Sequence, residues 1–316
     1  MARGLARLQR ARAAVLAAVL ATLGLAATAA ERAPAAPQRV ALVVGNAHYV
    51  DVPALDNALN DAADMCAALR ELGFEVACVS DVKTRRDFKR ELQAFRDRLG
   101  PGRMALFYYA GHGLQIDGEN FLLPTAAQIR RKEDVEDESV SLRFVMATLE
   151  DAQSDFTMMI LDACRNSPFT RGFSRSVSRG LAPVSDAPVG SLVLYATAAN
   201  ETASDGEPGA RNSPFTKHLL ANLRQPGLPV ETMIKRVSAG VQQETQRNGG
   251  KRQVPFTYGS FTGEFCFAGC GVAAAETAPL PARPPEIVPP AAAAPAPRQL
   301  PAAAPPRGKV VVPPAF

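Results

Sequence analysis

Two side chains in this sequence have the chemistry of a nucleophile and its base. Cys164 lies in Ile160-Leu-Asp-Ala-Cys-Arg-Asn166, and His112 in Phe107-Tyr-Tyr-Ala-Gly-His-Gly113. A thiol attacks only as its thiolate, and an ordinary cysteine, with a pKa near 8.5, is mostly protonated at neutral pH. It needs a base within reach, usually a histidine. Of the three histidines, His48 follows an apolar run and His218 falls inside a helical pattern. His112 stands between two glycines where a buried segment ends. Gly111 and Gly113 permit a sharp turn there. Gly113 can then present its amide with no side chain in the way, and with the amide of Cys164 it makes a two-donor oxyanion hole. Asp162, two residues before Cys164, should project to the same side of an extended segment, at the mouth of the cleft. A carboxylate there would hold a cationic substrate group, with a bidentate pair in the case of Arg.

These residues need elements to carry them. Continuous apolar runs at Arg39 to Gly45, Phe74 to Val79, Met104 to Tyr109, Phe156 to Leu161 and Ser191 to Thr197 read as buried strands. Helical spacing occupies Asn57 to Leu72, Thr84 to Leu99, Ser141 to Gln153, Ser213 to Leu223 and Pro229 to Gln246. Asp117-Gly118 centres a hairpin over Leu114 to Pro124, and Gln253 to Phe267 looks extended. Ser167 to Pro188, rich in Arg, Ser, Gly and Pro, reads as a long mobile loop. Strand and helix alternate four times, the pattern of a parallel sheet covered on both faces. In such sheets ligands bind outside the carboxyl ends of the strands, which is where Cys164 and His112 emerge if their strands are neighbours.

Val40-Ala-Leu-Val-Val-Gly-Asn46, Asn60-Asp61, the His112 segment and Leu161-Asp-Ala-Cys-Arg165 together resemble the caspase-like peptidases, most nearly their bacterial metacaspase-like and paracaspase branch. The histidine precedes the cysteine by about 50 residues, the spacing noted for caspases. The resemblance spans roughly Arg39 to Phe267. It implies an α/β caspase-like fold, a mainly parallel six-stranded sheet sandwiched between helices. It also implies Cys164 as nucleophile, His112 as acid and base, and amides of Gly113 and Cys164 as the oxyanion hole. Asp162 matches an acidic position of the P1 pocket, Asp61 a second, and Glu201 approximately a third. Two departures argue against Asp specificity. Asp162-Ala-Cys-Arg-Asn166 replaces the Gln-Ala-Cys-Arg-Gly of Asp-cleaving caspases, and no Arg lies between Val44 and Asp61. The expected activity is endopeptidase cleavage after Arg or Lys. Arg165, Arg171, Arg175 and Arg179 make the loop after the nucleophile a candidate for self-cleavage. A catalytically silent interaction module of the cell envelope, or an amidase on the same scaffold, are the rival readings.

Composition bounds the rest. A net charge of +4 spread over 316 residues is too weak and scattered to indicate nucleic acid as a partner. Arg3, Arg7, Arg10 and Arg12, the apolar run Ala13 to Ala26 and Ala27-Thr-Ala29 compose a secretory signal peptide over 1–29. A linker follows over 30–38, the catalytic domain over 39–268, and an Ala/Pro-rich tail over 269–316 that cannot bury a core. The mature chain should carry no membrane span and be periplasmic or secreted. In that setting Cys66/Cys78 and Cys266/Cys270 either close local disulfides or pack as buried thiols, with Cys164 left over. No cofactor is implied and no residue cluster has zinc spacing. Some metacaspases need calcium. Glu133 to Glu138 is acidic enough to attract it, but lacks the alternating ligand pattern of a dedicated loop.

Overall fold

The structure is a computed structural model; it describes residues 38–164, 177–178, 189–198, 203–204, 206, 209–247 and 251–271. The expected signal peptide, most of the loop after Cys164, Glu201 and residues 272–316 of the expected tail lie outside the described residues.

Each of the five apolar runs forms a strand, and with one strand from the extended segment they assemble in the order β2-β1-β3-β6-β8-β9. Here β1 is Gln38–Gly45, β2 Phe74–Ser80, β3 Arg103–Ile116, β6 Phe156–Cys164, β8 Ser191–Tyr195 and β9 Phe256–Ser260. The pairings from β2 through β8 are parallel, and β9 closes the edge antiparallel to β8. Between β3 and β6 the chain adds the short strands β4 (Glu119–Leu122) and β5 (Val140–Ser141), which extend a small antiparallel ladder from the end of β3. The hairpin turn is at Asp117-Gly118, both at positive φ, as that dipeptide predicts.

Helices α1 (Ala58–Glu71), α5 (Pro214–Leu223) and α6 (Val230–Arg247) share one apolar core with Ala41, Val43, Leu106, Tyr108, Met158 and Ile160. Helices α2 (Arg85–Arg96) and α4 (Leu142–Glu150) share the other with Val40, Leu42, Val44, Phe107, Tyr109, Met159 and Leu161. The two sets alternate along β1, β3, β6 and β8, because successive side chains point to opposite faces. Caps define the helix starts: Thr84, Ser141 and Ser213 each accept a backbone amide from the first turn.

The structure departs from the sequence expectation in three places. The acidic stretch at 133–138 is a helical turn, α3 (Asp134–Glu138), in which Asp134 accepts the amides of Arg130 and Arg131. Of the extended reading over 253–267, only β9 is strand. Within the expected mobile loop, β7 (Val177–Ser178) pairs with the end of β3; residues 165–176 and 179–188 are not described. Both disulfides form: Cys66–Cys78 ties α1 to β2, and Cys266–Cys270 closes the segment after β9. Among the described residues no helix is long and apolar enough to cross a membrane.

Candidate active site

Strand β3 does not end at Tyr109. It runs through Gly111, His112 and Gly113 to Ile116, so no sharp turn occurs at the glycines. β6 is likewise longer than its apolar core and stops at Cys164. The two are parallel neighbours, and their register pairs His112 with Cys164 at the carboxyl rim of the sheet. The Cys164 backbone is therefore adjacent to His112 across one strand spacing, about 4.8 Å. Gly113 follows at the rim and pairs onward with Leu122 of β4.

Gly111 is explained by close approach rather than by a turn. A Cβ there would lie 2.6 Å from the Tyr109 hydroxyl and 2.7 Å from that of Tyr49. Those two tyrosines organise the histidine. The Tyr49 hydroxyl accepts the His112 amide at 2.7 Å, and its ring packs on the imidazole with centroids 4.5 Å apart. The Tyr109 hydroxyl donates to the His112 carbonyl at 2.8 Å. His112 Nε2 lies 2.8 Å from the carbonyl oxygen of Pro53. A carbonyl only accepts, so Nε2 carries the hydrogen and Nδ1 is the basic nitrogen of the neutral ring. Asn46 holds the rim beneath: its amide accepts from Val82 N and donates to Leu123 O, both at 2.9 Å.

The two carboxylates drawn from the sequence come together on the α1/α5 face of the sheet. Asp162 stands at the end of β6 with 7% exposure, deeper than the expected cleft mouth. It accepts the Ser213 hydroxyl at 2.5 Å and the Thr216 hydroxyl at 2.7 Å. Asp61 is 2% exposed and accepts the Ser213 amide at 3.1 Å. Behind them the Tyr108 hydroxyl meets Thr216 Oγ1 at 2.6 Å. Burial first, then the charges of Asp61 and Asp162, push the Tyr108 phenol well above its ordinary value. Glu201 falls outside the described residues.

The other histidines serve elsewhere. His48 is exposed and paired with Asp81, and His218 is paired with Glu244 between α5 and α6. Among the described residues the one cluster with metal-ligand reach is Glu264, Cys266 and Cys270, and its two sulfurs are joined in the disulfide.

Reading the sequence missed Tyr49, Pro53, Ser213 and Thr216. Ser213-Pro214 was legible as a helix start, and the i, i+3 spacing of the hydroxyls at 213 and 216 puts them on one turn. Nothing local marks Pro53 or Tyr49, which reach His112 only through the loop between β1 and α1.

Comparison with known proteins fits this geometry. The family profile described as the caspase domain matches residues 38–266. Human mucosa-associated lymphoid tissue lymphoma translocation protein 1 is 28% identical over 132 residues, which are 42% of this chain and 16% of that protein. Its mouse homologue is 28% identical over the same length, 42% of this chain and 15% of the relative. The chain thus spans less than a fifth of the length of these curated relatives. A crystal structure of a Geobacter sulfurreducens protein superposes with a TM-score of 0.52 at 19% identity, covering 72% of this chain and 95% of the other.

Proposed function

This chain belongs to the caspase-domain family, and from that premise we propose that it is an exported cysteine endopeptidase cleaving peptide bonds after Arg or Lys. The observation that carries the reading is the β3–β6 register, with His112 and Cys164 paired at the carboxyl rim of the sheet. The histidine is oriented by Pro53 and Tyr49, and two buried carboxylates lie on one face beside it. In this mechanism His112 Nδ1 takes the thiol proton and the Cys164 sulfur attacks the scissile carbonyl carbon. The oxyanion is met by the amides of Gly113 and Cys164. The imidazolium then gives its proton to the departing amine as the C–N bond breaks, leaving a thioester. A water deprotonated by the same ring hydrolyses it.

The P1 assignment rests on charge. Two carboxylates sharing a buried site repel one another, and a cation between them relieves the repulsion and forms charge-assisted hydrogen bonds. Asp61 and Asp162 supply that pair, with Glu201, which lies outside the described residues, as a third acidic contributor. The two disulfides support export, since such bonds persist in oxidising compartments. Self-cleavage is proposed within 165–188, where the arginines cluster. Calcium is proposed only as an activator.

Cleavage of a peptide library by the mature domain, with Asp162→Asn alongside, tests the reading. The parent should cut after Arg and Lys. Asp162→Asn should lose about 10- to 100-fold in kcat/KM on Arg peptides, the worth of one charge-assisted pair. It should still be alkylated at Cys164. Equal cleavage of Arg substrates by the two proteins would remove Asp162 from the pocket.

A further inference from the structure

The carboxylates are only half of the acidic pocket. The first turn of α5 is built around them. Thr216 Oγ1 donates its single hydrogen to Asp162 Oδ2. Its contact with the Tyr108 hydroxyl must therefore be one in which the phenol donates. Ser213 Oγ likewise donates to Asp162 Oδ2 while accepting the Thr216 amide. Every hydrogen in the chain Tyr108–Thr216–Asp162 points toward the carboxylate, as does that of Ser213. The Ser213 amide meanwhile donates to Asp61. One N-cap residue thus holds both acids, the second through its amide and the first through its hydroxyl. Ser213 and Thr216 are 2% and 0% exposed, so water does not substitute for them.

Resting on the proposed basic-P1 reading, we propose that Ser213 and Thr216 are specificity-determining positioning residues. Their hydroxyls hold the Asp162 carboxylate in its charged form, at a set distance from Asp61, so that a cationic side chain is recognised. Donors to an ionised carboxylate favour the charged form and lower its pKa. The positive end of the α5 dipole acts in the same sense. Tyr108 remains a donor throughout, because its buried phenol does not ionise. Neither hydroxyl touches the reacting atoms.

The test uses Thr216→Val, which keeps the shape of the side chain and removes the hydroxyl, with Thr216→Ser as the conservative rescue. On Arg-ended fluorogenic peptides KM should rise about tenfold in Thr216→Val, the worth of one hydrogen bond to a charged group, with kcat changed far less. Removal of a donor raises the carboxyl pKa, so the acid limb of the kcat/KM profile should move to higher pH. Thr216→Ser should restore both. A structural cap would lower thermal stability without moving the acid limb. Should Thr216→Val fail to fold, Ser213→Gly removes the other hydroxyl at an N-cap position that tolerates glycine. It should show the same KM rise and the same direction of pH shift. A folded Thr216→Val or Ser213→Gly with parental KM and acid limb, while Asp162→Asn loses Arg cleavage, overturns the positioning role and spares the pocket. Parental Arg cleavage by Asp162→Asn overturns both.

Discussion

The two ends of the central sheet are built on opposite principles. At the amino ends of the strands, Phe74, Phe156, Phe261, Phe265 and Phe267 pack on one another in stacked, tilted and edge-on pairs with centroids between 4.2 and 6.1 Å. Arg39 lies over Phe74 and Phe265 and donates to the Phe267 carbonyl at 2.5 Å. The carboxyl ends bury Asn46, Asn57, Asp61, His112, Asp162, Ser213 and Thr216 instead. Burying polar groups is costly unless each is hydrogen-bonded, and the upper rim meets that cost with side chains drawn from loops and from the first turn of α5. One end is a seal whose worth is area removed from water. The other is a polar network whose worth is the orientation of a few atoms. On the proposed function, stability and chemistry are thus separated along the strand axis.

Substitutions that act on one end alone would sharpen that contrast. The largest effect is expected at the upper rim: His112→Ala should lower kcat/KM by at least about 10² to 10⁴-fold, the usual contribution of a positioned acid–base. Cys164→Ala should abolish turnover, and both should melt near the parental temperature. Loss of folding in His112→Ala would show the rim to be a stability element as well. Next comes the lower end. Phe267→Ala removes a side chain with 2% exposure and should destabilise by about 3 to 5 kcal/mol, roughly 10 °C in melting temperature. Its kcat/KM, measured well below that temperature, should match the parent, and a tenfold loss would break the separation.

The smallest effect compares two acids one helical turn apart on α1. Asp61 is buried, whereas Asp64 is half-exposed and pairs with Arg211 at 2.7 Å. The hydrogen bond from Arg211 holds the Asp64 carboxyl below its ordinary value. A depressed carboxyl stabilises the fold above its unfolded pKa, near 3.9, and loses that contribution as pH falls through the folded value. Arg211→Ala should therefore cost less than about 1 kcal/mol at neutral pH, because the pair is solvent-screened. Scanning melts from pH 7 to 2 should show the difference between variant and parent begin to shrink below pH about 4, the unfolded pKa, and vanish as pH falls past the depressed folded value. A difference that grows on acidification would refute the pairing.

Much of the scaffold was legible because burial writes itself into composition. The runs Val40 to Val44, Met104 to Tyr109 and Phe156 to Leu161 are apolar on both faces, as parallel strands between helices must be. Asp117-Gly118 named its own turn, and Ser213-Pro214 its own helix start. The strand ends were less legible. Gly111-His112-Gly113 reads as a break by residue type, yet the strand passes through it. What the glycine provides is room for two tyrosine hydroxyls, one from a loop more than sixty residues away.

The order of apolar runs, the placement of Cys164 and His112 at the ends of two of them, and the motifs of the caspase-domain family are properties of the chain read as a string. Local periodicity and residue type depend only on neighbours in sequence. Which strands adjoin, that His112 and Cys164 fall in one register, and that Asp61 and Asp162 are bound by the same serine were decided by tertiary structure alone. Those contacts join residues 51 to 152 positions apart. No local propensity encodes such closures; they form because packing α1 and α5 on one face of the sheet brings those polar groups together.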